Sequence, residues 1–183
     1  RYNVLVYLYQ QGGLTLLATN GGWELPLEAL QDTASALNAG AGFVILDFSG
    51  KFKFRENAPV PIQGFLHEPL EKSLVDRLSS ESWLVSGTKA FPKNDEEFRH
   101  LYHNLHLLYE RIRHVVGILP EDISREEAKY IPLISRLLIL SGNSREEAAA
   151  LIEGTPALQK TNILWMFKEK PDKNRFPKAY RTV

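Results

Sequence analysis

Short apolar runs separated by turn residues fill the first third of the chain and are typical of strands. VLVYLY (4–9) and LTLLA (14–18) flank a Gly-Gly pair, and this arrangement predicts a β-hairpin. FVILDF (43–48) and KFKF (51–54) predict a second hairpin in the same way. Between the hairpins, apolar residues recur every three or four positions, so a short helix is expected there.

Further along the chain the apolar period is helical. Asn94 predicts a helix N-cap, with Glu97 three residues later. The apolar stripe from Phe98 to Val116 then predicts one long amphipathic helix, which Pro120 ends.

The pentapeptide SREEA occurs twice, at 124–128 and 144–148, and each copy reads as a capping box. Pro132 is expected to bend or split the helix that follows the first copy. The second copy opens the segment 144–170, which resembles a helix-turn-helix with the turn at 154–156. A generic helical hairpin is the favoured interpretation of this segment, and the helix-turn-helix is the alternative.

These patterns predict an α+β fold. Residues 1–90 would form a domain with a mixed β-sheet and one or two helices, the second over 69–80. Residues 93–170 would form a helical C-terminal half, and 171–183 a basic tail.

Composition narrows the class of protein. The 183 residues include 22 Lys and Arg and 22 Asp and Glu, and this balance argues against a general polyanion binder. The chain has no cysteine, which excludes disulfides, thiolate metal sites and cysteine nucleophiles. No apolar run is long enough to span a bilayer and no signal peptide is visible, so we expect an intracellular protein, cytoplasmic or nuclear, without membrane contact. The start at Arg1 leaves open that the chain is a fragment of a longer protein.

The run VLVYLYQQGGLTLLATNGGWELP resembles the start of a Nudix domain, with Trp23, Leu25 and Pro26 in its W-x-L-P motif. The resemblance spans about residues 2–65 and implies Mg²⁺-dependent hydrolysis of nucleoside diphosphate compounds. The tail of the family signature falls on 35–43, where this chain lacks the arginine and all three glutamates. Those four positions hold Ser35, Ala36, Ala39 and Gly40. The resemblance therefore implies a degenerate Nudix-like domain without hydrolase chemistry, and an unrelated α+β sheet is the alternative.

The remaining acids do not converge in the sequence. Glu28 and Asp32 share one helix face, but two carboxylates are too few to hold a hard cation between them. We therefore predict no enzyme activity, no cofactor and no metal. A hydrolase whose acids lie elsewhere, for example at Glu68, Glu71 or Asp76, is retained as a third alternative.

Histidines cluster in HLYHNLH (100–106). On the wheel of the predicted long helix, His100, His103 and His114 fall opposite the apolar stripe, so we expect them to be exposed and to bind no metal. His106 falls at the boundary of the two faces.

Residues 163–183 join the apolar block ILWMF to a basic arm that is interrupted by prolines. A helix over that block would carry more apolar surface than its own half of the chain can cover, so docking on a partner protein or on a second copy is predicted. The predicted partner-binding residues are Trp165, Met166, Phe167, Arg175, Phe176, Lys178, Tyr180 and Arg181.

The sequence thus predicts a non-catalytic binding or assembly module that acts through protein–protein contacts. The alternative is a nucleic-acid-binding regulator, in which a degenerate Nudix-like domain is joined to a helical DNA- or RNA-binding region. In that alternative the basic C-terminal tail contacts phosphates and stacks on bases.

Overall fold

The fold is seen in a computed structural model. It describes residues 13–19, 44–50, 61–80, 83–112, 114–135, 137–142, 146, 153–154, 156–160, 163–167 and 181–182.

Within these residues, seven strands form one sheet. They are β1 (Gly13–Thr19), β2 (Val44–Asp47), β3 (Trp83–Val85), β4 (His114–Ile118), β5 (Leu137–Gly142), β6 (Ile163–Phe167) and β7 (Arg181–Thr182). The helices are α1 (Gly64–His67), α2 (Lys72–Ser80), α3 (Asp95–Tyr109), α4 (Arg125–Ala128) and α5 (Ile131–Ile134), with a 3₁₀ helix over Pro156–Lys160.

The strands lie in the order β3-β2-β4-β1-β5-β6-β7, and every described pairing is parallel. Parallel strands covered on both faces have continuous apolar sequences, as in β2, where Val44, Ile45 and Leu46 are all buried. The chain therefore has an α/β fold. The predicted mixed sheet is wrong for the described strands.

Both predicted hairpins are wrong where the structure describes them. β1 lies between β4 and β5, and β2 lies between β3 and β4, so each strand already has two parallel neighbours. Neither can also pair with 4–9 or with 51–54. Parallel neighbours cannot be joined by a tight two-residue turn, so the parallel pairings of β1 and of β2 contradict both hairpins.

The predicted helical C-terminal half is also wrong, because β4, β5 and β6 come from it. The long helix predicted to continue to Val116 ends at Tyr109, and Val115 and Val116 are buried in β4. Strands from both predicted halves alternate within one sheet, since β4 lies between β1 and β2.

Local signals at helix ends are confirmed. The Asn94 side chain accepts a hydrogen bond from the Glu97 amide, as expected of an N-cap. Ser124 and Glu127 form the predicted capping box. The helix that follows is split into α4 and α5, with Pro132 in the first turn of α5. Most of the second SREEA copy lies outside the described residues.

The core lies between the sheet and its helices. α3 buries one face, on which Leu101, Leu105 and Leu108 join the same apolar cluster as β1, β2 and β4. The helices in the described part of the chain lack the length and hydrophobicity that a membrane span requires.

Candidate functional site at the carboxyl edge of the sheet

All strands of a parallel sheet end at one edge, and open α/β sheets bind ligands outside that edge where the strand order reverses. Here the order reverses around β1, because β4 lies on one side of it and β5 on the other. The carboxyl ends of β1, β2 and β4 therefore define the candidate site. The segment 20–43, which follows β1, lies outside the described residues.

Asp47 ends β2 and is fully buried. Its carboxylate accepts hydrogen bonds from the Ser49 amide at 3.0 Å and from the Ser49 hydroxyl at 2.5 Å. A buried carboxylate is tolerated where such donors compensate its lost hydration. Asp47 thus holds the turn that leaves β2.

Phe48 joins the ends of three strands. Its amide donates to the Ile118 carbonyl at the end of β4, and its carbonyl accepts from the Ala90 amide in the segment after β3, each at 3.0 Å. Its ring meets that of Phe91 edge-on, with centroids 5.4 Å apart. The loops after β2, β3 and β4 are therefore fixed to one another.

Gly50 lies against the loop after β3. Its φ is +71°, and a Cβ at this position would lie 2.5 Å from the Lys89 amide nitrogen. Only glycine fits here without a shift of backbone, because it lacks the Cβ and tolerates positive φ.

Lys89 reaches across to the loop after β4. Its Nζ lies 3.0 Å from Asp122 Oδ1, and the two side chains are 40% and 79% exposed. Solvent screens such a pair, so it contributes little to stability. Nearby, the side-chain amide of Gln63 donates from its Nε2 to the Thr88 carbonyl and hydroxyl. In this part of the edge, the charged and polar groups are directed at neighbouring loops.

A separate groove of about 400 Å³ lies between α1 and α2. It is lined by Gly64, Glu68, Pro69, Leu70, Glu71, Ser73, Leu74 and Arg77. Two of the acids considered for a hydrolase, Glu68 and Glu71, lie here together. The third, Asp76, instead pairs with Arg111 at 3.4 Å.

Asn104 of α3 fixes the chain beside that groove, and the sequence analysis did not identify it. It is fully buried, accepts a hydrogen bond from the Leu70 amide and donates to the carbonyls of Phe65 and Glu68. Its partners lie more than thirty residues away in sequence, so no local pattern marks this role.

Where the structure describes the predicted partner-binding residues, they lie in strands. Trp165, Met166 and Phe167 lie in β6, which is paired on both sides, by β5 and β7. The helical premise of the docking prediction is wrong, because a continuous apolar run also suits a buried parallel strand. Arg181 lies in β7. Arg175, Phe176, Lys178 and Tyr180 lie outside the described residues, and contact with a partner stays a prediction.

The described residues agree neither with the helical hairpin expected over 144–170 nor with a helix-turn-helix there. The second helix of either would cover residues that form β6, and the residues before them form a 3₁₀ helix. An apolar strand inside a sheet cannot enter a DNA groove as a recognition helix does.

The exposure and placement of the histidines agree only in part with the helical-wheel prediction. His103 is exposed on α3 and His100 is half-buried. His106 is exposed and its ring lies between those of Tyr102 and Tyr109. His114 belongs to β4, so its helical placement is wrong. No group of three or more potential metal ligands occurs within the described part of the chain.

No protein-family model matches this chain. No curated protein matches it either. A crystal structure of a ParA family ATPase from Chlorobium tepidum TLS is similar to it, with a TM-score of 0.61 at 12% identity, over 90% of this chain and 77% of that one. The crystal structure of the chimerical protein CapA2B2 is similar with a TM-score of 0.52 at 13% identity, over 91% of this chain and 82% of that one.

The Nudix resemblance gains no support from these findings. Residues 20–43, which carry its motif, lie outside the described residues, and the two similar structures are of other kinds. At such low identity the similarity shows the fold alone. The chain shares with these structures a fold built on a parallel α/β sheet.

Proposed function

We propose that this chain is a non-catalytic binding or assembly module that acts through protein contacts. The observation that carries the proposal is the arrangement of the loops after β2, β3 and β4. Asp47 is bonded to Ser49, Lys89 is paired with Asp122, and Gly50 packs on the backbone of Lys89. The first contact holds the turn after β2, and the other two fix neighbouring loops to each other. The described polar groups at this edge are therefore used to hold the backbone.

The sequence between β1 and β2 supports the same proposal. A phosphate-binding loop that follows a strand needs glycines and a lysine that reaches the phosphates. The stretch after β1 reads NGGWELPLEAL, and no lysine or arginine occurs between Arg1 and Lys51. Glycine is present there without the cation that would balance phosphate charge.

A nucleotide-binding ATPase is the second candidate. The observation in its favour is the similarity in fold to a ParA family ATPase. In this candidate, Lys89 is the described cation best placed to reach an anion at the carboxyl edge, because it lies on the loop that follows β3.

Nucleotide binding and hydrolysis separate the two candidates. Purified protein would be tested with ATP, ADP and Mg²⁺ by calorimetry, thermal unfolding and phosphate release. We expect no binding, no rise in melting temperature and no release above the blank. A ligand present at about a hundred times its Kd would stabilise the fold by about 2.7 kcal/mol, which thermal unfolding detects.

The variants Lys89→Met and Lys72→Met make that experiment specific. Both replace an exposed lysine, but Lys72 lies on α2. Mg²⁺-dependent turnover that disappears in Lys89→Met and persists in Lys72→Met would establish the ATPase and reject the non-catalytic proposal.

A further inference from the structure

Aromatic rings form a continuous ladder along α3. Phe98 and Tyr102 have centroids 5.7 Å apart, Tyr102 and His106 4.5 Å, and His106 and Tyr109 5.8 Å. Each ring is held by its neighbours, so little side-chain freedom remains to be lost on binding. Tyr102 is 44% exposed and His106 is also exposed, which leaves the middle of the ladder open to a partner.

Opposite charges flank this ladder on the same helix face. Arg99 and Glu110 are eleven residues apart, which places them only about 20° apart around the axis and about 16 Å apart along it. Tyr102, His103 and His106 lie between them on that face. The face therefore carries a cation at one end, rings in the middle and an anion at the other end.

Glu110 is poorly placed for an isolated chain. It caps the carboxyl end of α3, where the helix dipole disfavours a negative charge. It is exposed, and its carboxylate makes no hydrogen bond or ion pair with the described residues. Arg99 is exposed and uses its Nε on the Asp95 carbonyl at 3.3 Å, and a guanidinium has four further N–H donors.

We propose that α3 packs antiparallel on α3 of a second copy of this chain, about a two-fold axis. An isologous contact needs a self-complementary face, and reversal of the helix brings Arg99 opposite the partner subunit's Glu110 twice. The ring ladders meet in the centre, where tyrosine contributes most to interfaces. The partner of the proposed binding module is thus a second copy of the chain. This inference rests on the proposed function in one respect, namely that the module acts through protein contacts.

The size of the contact sets the expected affinity. α3 has 15 residues and is about 22 Å long, so one helix pair buries less than the roughly 1,200–2,000 Å² of stable interfaces. We therefore expect a reversible dimer with a Kd in about the micromolar range.

Sedimentation equilibrium of the full chain over a concentration series tests the inference, at low and at high salt. Arg99→Glu and Glu110→Arg each place like charges opposite each other twice, so each should weaken the dimer at least about tenfold. The double variant restores opposite charges and should return to within about threefold of the wild type. Glu153→Arg is the matched control, since it reverses an exposed charge outside α3 and should change nothing.

Circular dichroism establishes that each variant is folded. A wild type that stays monomeric at all concentrations overturns the inference, as do single variants that dimerise like the wild type. A folded double variant that fails to recover also overturns it. These outcomes leave the nucleotide assay unaffected, so failure of the α3 contact is distinguishable from failure of the proposed function.

Discussion

The Tyr130 hydroxyl donates a hydrogen bond of 2.7 Å to Asp95 Oδ1, and this contact ties the turn between α4 and α5 to the first turn of α3. The Tyr130 ring stacks on Phe98 with centroids 5.0 Å apart. Lys129 places its ammonium 5.0 Å from the centre of the same ring. One side chain thus contributes hydrogen bonding, stacking and cation–π contact to a single junction.

Ionisation of this junction is coupled to folding. Burial raises the pKa of the Tyr130 hydroxyl, and the hydrogen bond to Asp95 with the charge of that carboxylate raises it further. The hydrogen bond to Glu126 raises the pKa of Lys129. Each group holds its proton more tightly when folded, so its contribution to stability is complete below its unfolded pKa, about 10 for tyrosine. That contribution is lost as pH rises through the folded pKa.

We expect Tyr130→Phe to flatten the dependence of unfolding free energy on pH above about 10, the unfolded pKa of tyrosine. It should also lower stability at neutral pH, because the bond to Asp95 is lost. Denaturant unfolding at several pH values measures both effects. Tyr102→Phe is the control, since it removes the hydroxyl of an exposed tyrosine instead of a buried one. A Tyr130→Phe profile parallel to that of the wild type would contradict the coupling.

Asn104→Leu is expected to lower the free energy of unfolding by about 2–5 kcal/mol. The substitution leaves the Leu70 amide and the carbonyls of Phe65 and Glu68 without their buried partner. Asn94→Ala removes a solvent-exposed cap from the same helix and should lower stability by only about 1 kcal/mol. Urea denaturation compares the two variants, and equal losses would show that the Asn104 network contributes no more than a cap.

Elements specified by neighbouring residues could be predicted from the sequence. Asn94 with Glu97, and Ser124 with Glu127, are three residues apart, so their hydrogen bonds do not depend on the rest of the fold. Apolar runs could not be assigned in this way. ILWMF (163–167) suits both a buried helix and a buried parallel strand, and the choice depends on whether neighbouring strands are available.

The candidate site was less predictable than the fold. Gly50 packs on Lys89, and Asn104 bonds to residues of the α1–α2 region, across separations of more than thirty residues. Sequence periodicity carries no information about such pairs. The Asp47–Ser49 turn is local, but a VILD strand ending in an acid does not reveal that the carboxylate is buried.

The basic tail needs a test different from truncation. Deletion of 163–183 would remove β6, which is paired on both sides, and would unfold the sheet. Arg175→Glu with Lys178→Glu leaves the strand intact and should weaken capture of a protein partner, mainly by slowing association. Strong, salt-sensitive DNA or RNA binding that this variant loses would favour the nucleic-acid alternative. Unchanged capture by the variant would show that Arg175 and Lys178 take no part in the contact.

Gly50→Ala is expected to lower the free energy of unfolding by about 1–3 kcal/mol. Two causes add, because φ is +71° and the new Cβ would lie 2.5 Å from the Lys89 amide nitrogen and 2.9 Å from the Thr88 carbonyl carbon. Both contacts are with backbone, which cannot rotate away as a flexible side chain does. Relief therefore requires the loops after β2 and β3 to separate.

Gly154→Ala is the matched control. Gly154 is helical and a Cβ there meets nothing within 4 Å, so alanine should be neutral or should stabilise the chain by about 0.5–1 kcal/mol. Thermal and denaturant unfolding of both variants measure the difference. Because Gly50 is where the loop after β2 meets the loop after β3, Gly50→Ala should also increase amide exchange at Ala90, whose N–H is bonded to the Phe48 carbonyl. Stability and exchange equal to those of Gly154→Ala would show that the loops at the carboxyl edge are not held by this contact.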